Sequence, residues 1–316
     1  MKLIIGFLTY NNLTVKYLPY FLRSLKEQTF NDFQVMALDN SKDKDNENSK
    51  YIKKNYPKIE IKWAGKNLGF AKANNIIIKK AIERRAEYIL LLNPDTILET
   101  NAIEKLVGAM EIDKELGSVS PKILKWDFSE NKKTNIIDTC GIFLKPGLKF
   151  IDLGESLVDQ GQFNNTEILG PSGAAAMYRV TALEKIKQAG EYFDELMFMY
   201  KEDCDLAYRL RLAGWKAKCI GEAIIYHDRT VSGAGHRGIK IAMNRLTKSK
   251  QSKKWSFLNQ HIIYLKYWHK QSFINKFNIF MQILKIFLFV ILFEQYLIKE
   301  YWNLYKINDK IKKGTE

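Results

Sequence analysis

Tyr88-Ile-Leu-Leu-Leu-Asn-Pro-Asp95-Thr96 is the stretch that decides the fold of this chain. Its apolar run has the length of one buried strand. Pro94 cannot donate to a sheet ladder, so the strand must end there. In open α/β sheets, ligands bind just beyond the carboxyl ends of strands. Asp95 is therefore a candidate ligand for a divalent cation and, through it, a diphosphate, although a strand-terminating turn would give the same pattern.

Short apolar runs alternate with helical patterns on both sides of this stretch. Alternation of this kind predicts an α/β fold, with a mostly parallel central sheet covered by helices on both faces. The predicted strands are Leu3–Thr9, Phe33–Asp39, Ile59–Trp63, Tyr88–Leu92 and Ala217–Tyr226. The predicted helices are Val15–Gln28, Phe70–Arg85, Ala102–Asp113, Thr181–Gln188 and Leu206–Ala213, the last closed by Gly214 in the left-handed conformation. Residues 122–170 are expected to hold short antiparallel strands, and residues 42–48 a solvated, mobile loop.

The positive charge of the chain is concentrated at its C-terminal end. The formal net charge is +15 over 316 residues, and residues 236–316 carry 16 Lys and Arg against 4 Asp and Glu. A near-neutral body with a basic tail indicates a nucleic acid or an anionic membrane surface as partner. A solvated helical surface is the alternative interpretation.

The tail also contains an apolar segment, Phe277–Ile298. A membrane-spanning helix needs about 20 predominantly apolar residues. Lys285 and Glu294 interrupt this segment, so we expect an amphipathic helix in the membrane interface rather than a span. Packing against the protein core is the alternative.

The cysteines and the N-terminus bear on the compartment. Cys140, Cys204 and Cys219 show no metal-binding spacing, and their odd number argues against a disulfide framework. The N-terminus lacks the long apolar segment of a signal peptide. We therefore expect a reducing, cytoplasmic setting.

Polar side chains gather where the predicted strands end. Thr9, Asn11, Asp39 and Asn40 can hydrogen-bond a nucleobase and ribose. Asn67-Leu-Gly69-Phe-Ala-Lys72-Ala-Asn74 begins a helix with small residues that permit close approach of a ligand, and Lys72 adds a positive charge. His227 ends the last strand, where a neutral imidazole could be a second metal ligand or simply a structural residue.

Glu202 and Asp203 begin a predicted helix. Either carboxylate could act as a general base towards a hydroxyl, because a close acidic pair has its two pKa values pushed apart. Complementing the helix dipole is the alternative role.

In this order the motifs resemble glycosyltransferase family 2, and more narrowly its bacterial rhamnosyltransferase-like branch. The resemblance covers about residues 3–230 and is far more specific than any single motif. The motifs that carry it are Thr9-Tyr10-Asn11, Asp39-Asn40-Ser41, Asn67-Leu68-Gly69-Phe70-Ala71, Asn93-Pro94-Asp95, Gly173-Ala174-Ala175, Phe193-Asp194-Glu195, Lys201-Glu202-Asp203-Cys204-Asp205-Leu206 with Arg209, Gly214-Trp215, and His227.

The resemblance implies a GT-A fold and an inverting transfer from a nucleotide sugar, linked to dTDP or UDP. It places Asp203 as the general base, with Glu202 tuning it or holding the acceptor, and Gly173 and Ala174 between donor and acceptor. Mn²⁺ or Mg²⁺ would be held by Asp95 and His227. The residues implied to surround the donor are Thr9, Tyr10, Asn11, Asp39, Asn40, Gly69, Lys72, Asn74, Asn93 and Asp95.

One position departs from the family pattern. The metal motif commonly reads Asp-x-Asp, whereas its first position here is Asn93. A neutral residue removes one anionic contact, so Asn93 is in doubt as a ligand while Asp95 is retained. The same form is familiar in the rhamnosyltransferase-like branch.

The resemblance also suggests an organisation and a location for the chain. We expect a catalytic domain at residues 1–235, with a nucleotide-sugar half to about 120 and an acceptor half from 121, and a helical tail at 236–316. The tail would keep the enzyme at the inner face of the cell membrane, near an acceptor glycan on a polyprenyl diphosphate. The expected surface contacts are Lys248, Lys250, Lys253, Lys254, Trp255 and Trp268.

Three other functions compete with this interpretation. A nucleotidyltransferase would need a Gly-rich basic loop after the first strand, where Thr9-Tyr10-Asn11-Asn12 stands instead. A nucleic-acid binder would not explain the polar residues at so many strand ends. An inactive membrane scaffold of the same fold would have no need to retain Asp95, Asp203 and His227 together.

Overall fold

A computed structural model describes residues 1–228 and 249–313 of the chain. The strands are β1 (Leu3–Thr9), β2 (Phe33–Asp39), β3 (Glu60–Trp63), β4 (Tyr88–Leu92), β5 (Thr96–Leu98), β6 (Leu116–Asp127), β7 (Lys132–Thr139), β8 (Ile142–Lys145), β9 (Lys149–Asp152), β10 (Ala175–Arg179) and β11 (Lys216–His227). The helices are α1 (Leu18–Lys26), α2 (Glu47–Asn55), α3 (Gly69–Glu83), α4 (Ala102–Ile112), α5 (Val180–Lys185), α6 (Glu202–Leu212), α7 (Lys250–Tyr267), α8 (Phe273–Phe293) and α9 (Ile298–Lys313).

Most of the strands form one mixed sheet. Its order is β3-β2-β1-β4-β10-β6-β11-β5, and β7 pairs with β6 beside this path. β1, β2, β3, β4, β6 and β11 run in one direction, whereas β5, β7 and β10 run in the other. The predicted α/β class with a mostly parallel sheet is therefore confirmed. β8 and β9 form a separate hairpin.

Alternate residues of β1 face two separate cores, one on each side of the sheet. Leu3, Ile5 and Phe7 belong to the core that α1 and α4 cover. Ile4 belongs to the opposite core, which includes Ile77 of α3. The helix approaches β1 closely because Gly6 has no side chain, since a Cβ there would lie 2.5 Å from Cγ2 of Ile77.

The prediction for residues 42–48 is wrong from Asn46 onwards. Helix α2 begins at Glu47, and the Asn46 side chain caps it by accepting a hydrogen bond from the backbone N–H of Ser49 at 3.2 Å. Asn48 is fully buried and donates a hydrogen bond from its side chain to the carbonyl of Asn11. The loop is thus tied to the end of β1.

The C-terminal helices share a hydrophobic core with the body of the protein. Tyr208 of α6 packs with Ile263 and Tyr267 of α7, and Ile279 of α8 joins the same cluster. This packing was the alternative interpretation of the apolar tail. The predicted domain boundary between residues 235 and 236 lies outside the described residues.

Helix α8 nevertheless leaves one apolar face uncovered. Its 21 residues have a mean hydropathy of 1.9 over the most apolar window, of which 11% is buried, so by length and composition alone it could cross a membrane. The exposed side chains recur every three or four residues along the whole helix: Phe273, Phe277, Phe280, Leu284, Phe287 and Ile291. We call this row the apolar stripe.

The lysines predicted as membrane contacts do not all face outwards. Lys253 pairs with Glu294 at 3.4 Å and Lys254 with Glu300 at 3.0 Å, which joins α7 to the segments that follow it. The prediction for Lys253 is wrong, because its side chain is buried between helices, whereas the Lys254 side chain remains 33% exposed. Trp255 likewise packs against Phe198, with ring centroids 4.9 Å apart. Lys250 and Trp268 are exposed, and Lys248 lies outside the described residues.

Candidate active site

The ends of β1 and β2 form one wall of the candidate site. Asp39 is buried and accepts hydrogen bonds from the hydroxyls of Thr9 at 3.1 Å and Ser41 at 2.6 Å, while its other oxygen accepts from the Asn46 amide. The Ser41 hydroxyl in turn accepts from the backbone N–H of Asn11 at 2.7 Å. Asp39 therefore holds three segments together beneath the pocket surface, where Asn11 is exposed and Tyr10 half-buried.

Asn40 links this wall to the start of α3. Its side-chain oxygen accepts from the N–H of Leu68 at 3.3 Å, and its amide donates to the carbonyl of Gly69 at 3.2 Å. Gly69 has a φ of +77°, and a Cβ there would lie 2.4 Å from the carbonyl oxygen of Phe198. Only glycine fits this left-handed, crowded position. The predicted motif thus joins the wall to the loop before α6.

Two residues expected at the donor are engaged elsewhere. Lys72 forms an ion pair with Glu195 at 2.8 Å. Asn74 is buried and donates its amide to the carbonyl of Phe70, within its own helix, at 3.1 Å. In this arrangement the Asn74 amide bonds within α3 and the Lys72 ammonium pairs with Glu195, although the Lys72 side chain is still 52% exposed.

Asp95, His227 and Asp138 form a second cluster, at the carboxyl edge of the sheet. Nδ1 of His227 lies 2.8 Å from a carboxylate oxygen of Asp138, and Nε2 lies 3.3 Å from Oδ1 of Asp95. Thr96, beside Asp95, is the register partner of His227 across β5 and β11. The structure therefore brings the two predicted metal ligands together.

The cluster fits a divalent cation. Oδ1 of Asp95 is buried and accepts no well-aligned hydrogen bond among the described residues. An Asp138 carboxylate that accepts from Nδ1–H would leave the Nε2 lone pair directed at the same space. Two ligands of one cation bound at about 2.1 Å lie about 3 Å apart, close to the observed separation.

The charges around His227 also favour a cation at this position. Burial lowers the pKa of His227, but the charges of Asp95 and Asp138 and their hydrogen bonds raise it by more, to about 10. Without a metal the imidazole is therefore protonated at neutral pH, and a cation bound at Nε2 would displace that proton. Across residues 1–228 and 249–313, no three His, Cys, Asp or Glu side chains form a complete metal cage. Asp95 and His227 would thus be the protein's share of the ligands, and the donor phosphates can supply others.

Asp203 lies in the first turn of α6. Its Oδ2 accepts a hydrogen bond from the N–H of Gly173 at 3.0 Å, and its Oδ1 accepts from the N–H of Cys204 at 2.8 Å. Gly173 is closely packed, because a Cβ there would lie 3.3 Å from the Phe70 ring. The next residue, Ala174, accepts from the N–H of Asn93 at 2.9 Å. The predicted acceptor and metal motifs therefore adjoin.

Glu202 differs sharply from its neighbour Asp203. Its side chain is buried, and its Oε2 has no hydrogen-bond partner in the part of the chain that the structure describes. Burial, and then the charge of Asp203, raises the pKa of Glu202 well above its usual range. A neutral, enclosed carboxyl cannot readily take a proton from a substrate, so the half-buried Asp203 is the better candidate for a general base.

Sequence reasoning missed Asp138, Ser41 as a partner of Asp39, and the capping role of Asn46. Asp138 lies within β7, where no motif or turn marks it. The one signal in the sequence is that Asp138 is a charged residue placed between the apolar pair Ile136-Ile137 and Thr139.

Comparisons with known proteins identify the family of the chain. The sequence profile of the family described as "Glycosyl transferase family 2" matches residues 5–187, more than half of the chain. The N-acetylglucosaminyl-diphospho-decaprenol L-rhamnosyltransferase of Mycobacterium tuberculosis is 25% identical over 234 residues, which cover 68% of this chain and 73% of the relative.

Solved structures share the fold at lower identity. The crystal structure of S. aureus TarS 1-349 aligns with a TM-score of 0.51 and 16% identity over 86% of this chain and 74% of that one. GalNAc-T7 with UDP, GalNAc and Mn²⁺ aligns with a TM-score of 0.58 and 13% identity over 72% of this chain. The alignment spans only 44% of the GalNAc-T7 chain, and likewise 44% of a longer TarS chain. The TarS 1-349 and GalNAc-T7 structures confirm the expected GT-A architecture.

Proposed function

The chain belongs to glycosyltransferase family 2, and from this membership we propose that it moves a sugar, rhamnose or a close analogue, from a nucleoside diphosphate to a glycan with inversion at the anomeric carbon. The observation that carries the proposal is the pairing of Asp95 Oδ1, which accepts no well-aligned hydrogen bond among the described residues, with Nε2 of His227 at 3.3 Å at the carboxyl edge of the sheet. A carboxylate and an imidazole so placed suit a metal–diphosphate complex.

The residues around the pocket divide into donor and acceptor groups. The donor nucleotide would lie against Tyr10 and Asn11, on the wall that Asp39 organises. A divalent cation on Asp95 and His227 would neutralise the charge that develops on the leaving diphosphate. The GalNAc-T7 structure, which contains Mn²⁺ together with UDP, supports this requirement.

Asp203 would take the proton from the attacking acceptor hydroxyl. The N–H groups of Gly173 and Cys204 fix its carboxylate, and the neighbouring Glu202 stays neutral, so a single negative charge faces the acceptor. Glu202 then acts on Asp203 rather than on the substrate.

The mycobacterial relative suggests the class of acceptor. Its name specifies a rhamnosyl transfer to an N-acetylglucosaminyl diphosphate on a polyprenol. We propose a lipid-linked glycan of the same chemical class, used in assembly of a bacterial surface polysaccharide at the cytoplasmic face of the membrane.

The activity is tested by scoring nucleoside diphosphate release from a panel of dTDP- and UDP-sugars with Mn²⁺, Mg²⁺ or EDTA. We expect release from one donor, abolished by EDTA, by Asp95→Ala and by Asp203→Ala. Glu130→Ala, which removes an exposed carboxylate from the β6–β7 turn, is the matched control and should leave the rate unchanged. If calorimetry detects no nucleotide-sugar binding with metal present, the proposal fails and a scaffold role replaces it.

The apolar stripe of α8 supports a second part of the proposal, which is docking on an anionic membrane. Phe273 is 86% exposed and Phe277 is 58% exposed, a combination that is costly in water. The 21-residue helix is about 30 Å long. The tail has a surplus of lysines, of which Lys270, Lys285 and Lys299 are exposed and can meet lipid phosphates.

Membrane docking is tested by flotation with vesicles containing anionic lipid. We expect Phe277→Glu with Leu284→Glu to reduce binding by at least tenfold, because two apolar contacts are lost and two like charges meet the surface. Ile112→Glu, at an 88% exposed position on α4, is the matched control and should bind as the unaltered protein does. Equal binding by all three proteins would rule out the apolar stripe as the docking surface.

A further inference from the structure

The loop that precedes α6 has an unusual backbone. Tyr200 has a φ of 72° and Lys201 a φ of 71°, so two successive residues with side chains adopt the left-handed conformation. Such residues avoid this region unless their surroundings impose it. Glu202 and Asp203 follow at once, so the conformation of this loop sets the direction from which the Asp203 carboxylate enters the pocket.

Helix α7 supplies the restraint through one side chain. Asn259 is 2% exposed, and its amide nitrogen donates to the carbonyl of Met199 at 2.9 Å and to that of Tyr200 at 2.6 Å. Both amide protons are thus used on consecutive carbonyls of the loop. Trp255, one turn earlier on the helix, packs its ring on Phe198.

The restrained loop also contacts the donor side of the pocket. The carbonyl of Phe198 accepts a hydrogen bond from the N–H of Phe70, in the first turn of α3, at 2.8 Å. Asp203, which follows the other end of the loop, accepts a hydrogen bond from the N–H of Gly173. A change in the position of Met199 and Tyr200 would therefore shift the general base relative to the donor.

We propose that Asn259 is a positioning residue for Asp203. Helix α7, the first helix of the tail, is then a functional part of the acceptor site. This inference rests on the role given to Asp203 in the proposed function. Asn259 is buried, so its side chain would itself contact neither donor nor acceptor. It acts by holding two carbonyls so that the left-handed pair, and with it the start of α6, stays in place.

The test compares Asn259→Ala and Asn259→Asp with the unaltered full-length protein. Alanine removes both donors, and aspartate keeps the shape but sets a carboxylate against two carbonyl oxygens. We expect kcat to fall about 10- to 100-fold, because a displacement of the Asp203 carboxylate by about 1 Å is enough to cause such a loss. The donor KM and the calorimetric Kd for the nucleotide should stay within about twofold of the wild-type values. Gln260→Ala is the matched control, since that amide donates to Leu148 instead and should leave kcat unchanged.

A rescue separates positioning from general damage. Glycine adopts positive φ readily, so Lys201→Gly in the Asn259→Ala background should recover part of the lost kcat. Lys201→Gly alone provides the reference for this comparison.

Several outcomes would overturn the inference. Unchanged kcat in Asn259→Ala, alongside loss of activity in Asp203→Ala, would refute it while leaving the proposed function intact. A loss of nucleotide binding that parallels the loss of kcat, without rescue by Lys201→Gly, would assign Asn259 a purely structural role. A wild-type protein that transfers no sugar from any donor would refute both proposals together.

Discussion

His227 is held between two carboxylates that differ in depth. The Asp138 side chain is 1% exposed, whereas that of Asp95 is 28% exposed. Asp95 can therefore reach a ligand in the pocket, while Asp138 can only orient the imidazole. This difference predicts distinct consequences when each carboxylate is altered.

We predict that Asp138→Asn weakens Mn²⁺ binding about 10- to 100-fold. The carboxylate of Asp138 fixes the tautomer of His227 and raises its basicity, and an amide would do neither. Titration of free Mn²⁺ followed by electron paramagnetic resonance measures the affinity directly. Asp127→Asn, on the exposed turn of the same hairpin, is the control and should bind Mn²⁺ normally. Equal affinities in the two variants would show that Asp138 does not support a metal ligand.

A second prediction concerns the buried Glu202, whose pKa is raised in the folded state. Unfolding exposes a carboxyl that ionises near pH 4.3, so rising pH favours the unfolded chain through this group. Glu202→Gln has no such group and should be more stable than the wild type, by a margin that increases from pH 5 to pH 8. Thermal melts across this range measure the difference, and a margin independent of pH would contradict the prediction.

At the scale of elements, the first half of the chain could be predicted from local pattern. β1, β2 and β4 have the predicted bounds, because an apolar run with a polar stop needs no information from distant residues. Predicted Phe70–Arg85 corresponds to α3, Gly69–Glu83, and predicted Ala102–Asp113 to α4, Ala102–Ile112. These differences of one or two residues are usual at helix ends.

The elements that were missed depend on contacts distant in sequence. Helix α2 is polar, and Asn48 becomes buried only because the end of β1 lies against it. β5 is three residues long and exists through its antiparallel pairing with β11, more than a hundred residues away. Asp138 and Asn259 escaped prediction for the same reason, since each is defined by a partner about 60 to 90 residues away in the chain.

The junction between α3 and the loop before α6 gives a prediction at this scale. We expect Gly69→Ala to lower the free energy of unfolding by about 1–3 kcal/mol, from the left-handed backbone and the clash with Phe198. Gly108→Ala is the control, because its Cβ meets no atom within 4 Å and its helical position should give a gain of about 0.5–1 kcal/mol. Denaturant titration would disprove the account if both substitutions acted in the same direction.

At the scale of the whole molecule, one buried ionic cluster joins the tail to the catalytic helix. Asp205 of α6 accepts from Lys266 at 2.6 Å and from Tyr267 at 2.7 Å, and it pairs with Arg209 at 2.9 Å. Burial raises the pKa of Asp205, but the charges of Lys266 and Arg209 lower it by a larger amount. The net pKa therefore lies well below the usual range. Its stabilising contribution is complete above the unfolded pKa near 4 and is lost as the pH falls below that value.

We predict that Asp205→Asn lowers the free energy of unfolding at pH 7 by about 3 kcal/mol, since buried cations lose their counter-charge. The deficit should shrink as the pH falls below 4, because the Asp205 carboxyl of the unfolded chain then takes up a proton while that of the folded wild type stays ionised. Asp45→Asn, an exposed carboxylate 3.6 Å from Lys53, is the control and should change stability by less than about 1 kcal/mol. An equal deficit at pH 3 and pH 7 would contradict this account of the cluster.

The core shared by α6, α7 and α8 has a practical consequence for handling the protein. Deleting the tail to obtain a more tractable enzyme would strip Ile263, Tyr267 and Ile279 from that core and leave Tyr208 uncovered. The opposite surface of α8 carries the apolar stripe, which would cause the purified protein to aggregate or to bind detergent. Since the two surfaces lie on one helix, solubility should be gained by replacing the outer side chains with polar ones and never by shortening the chain.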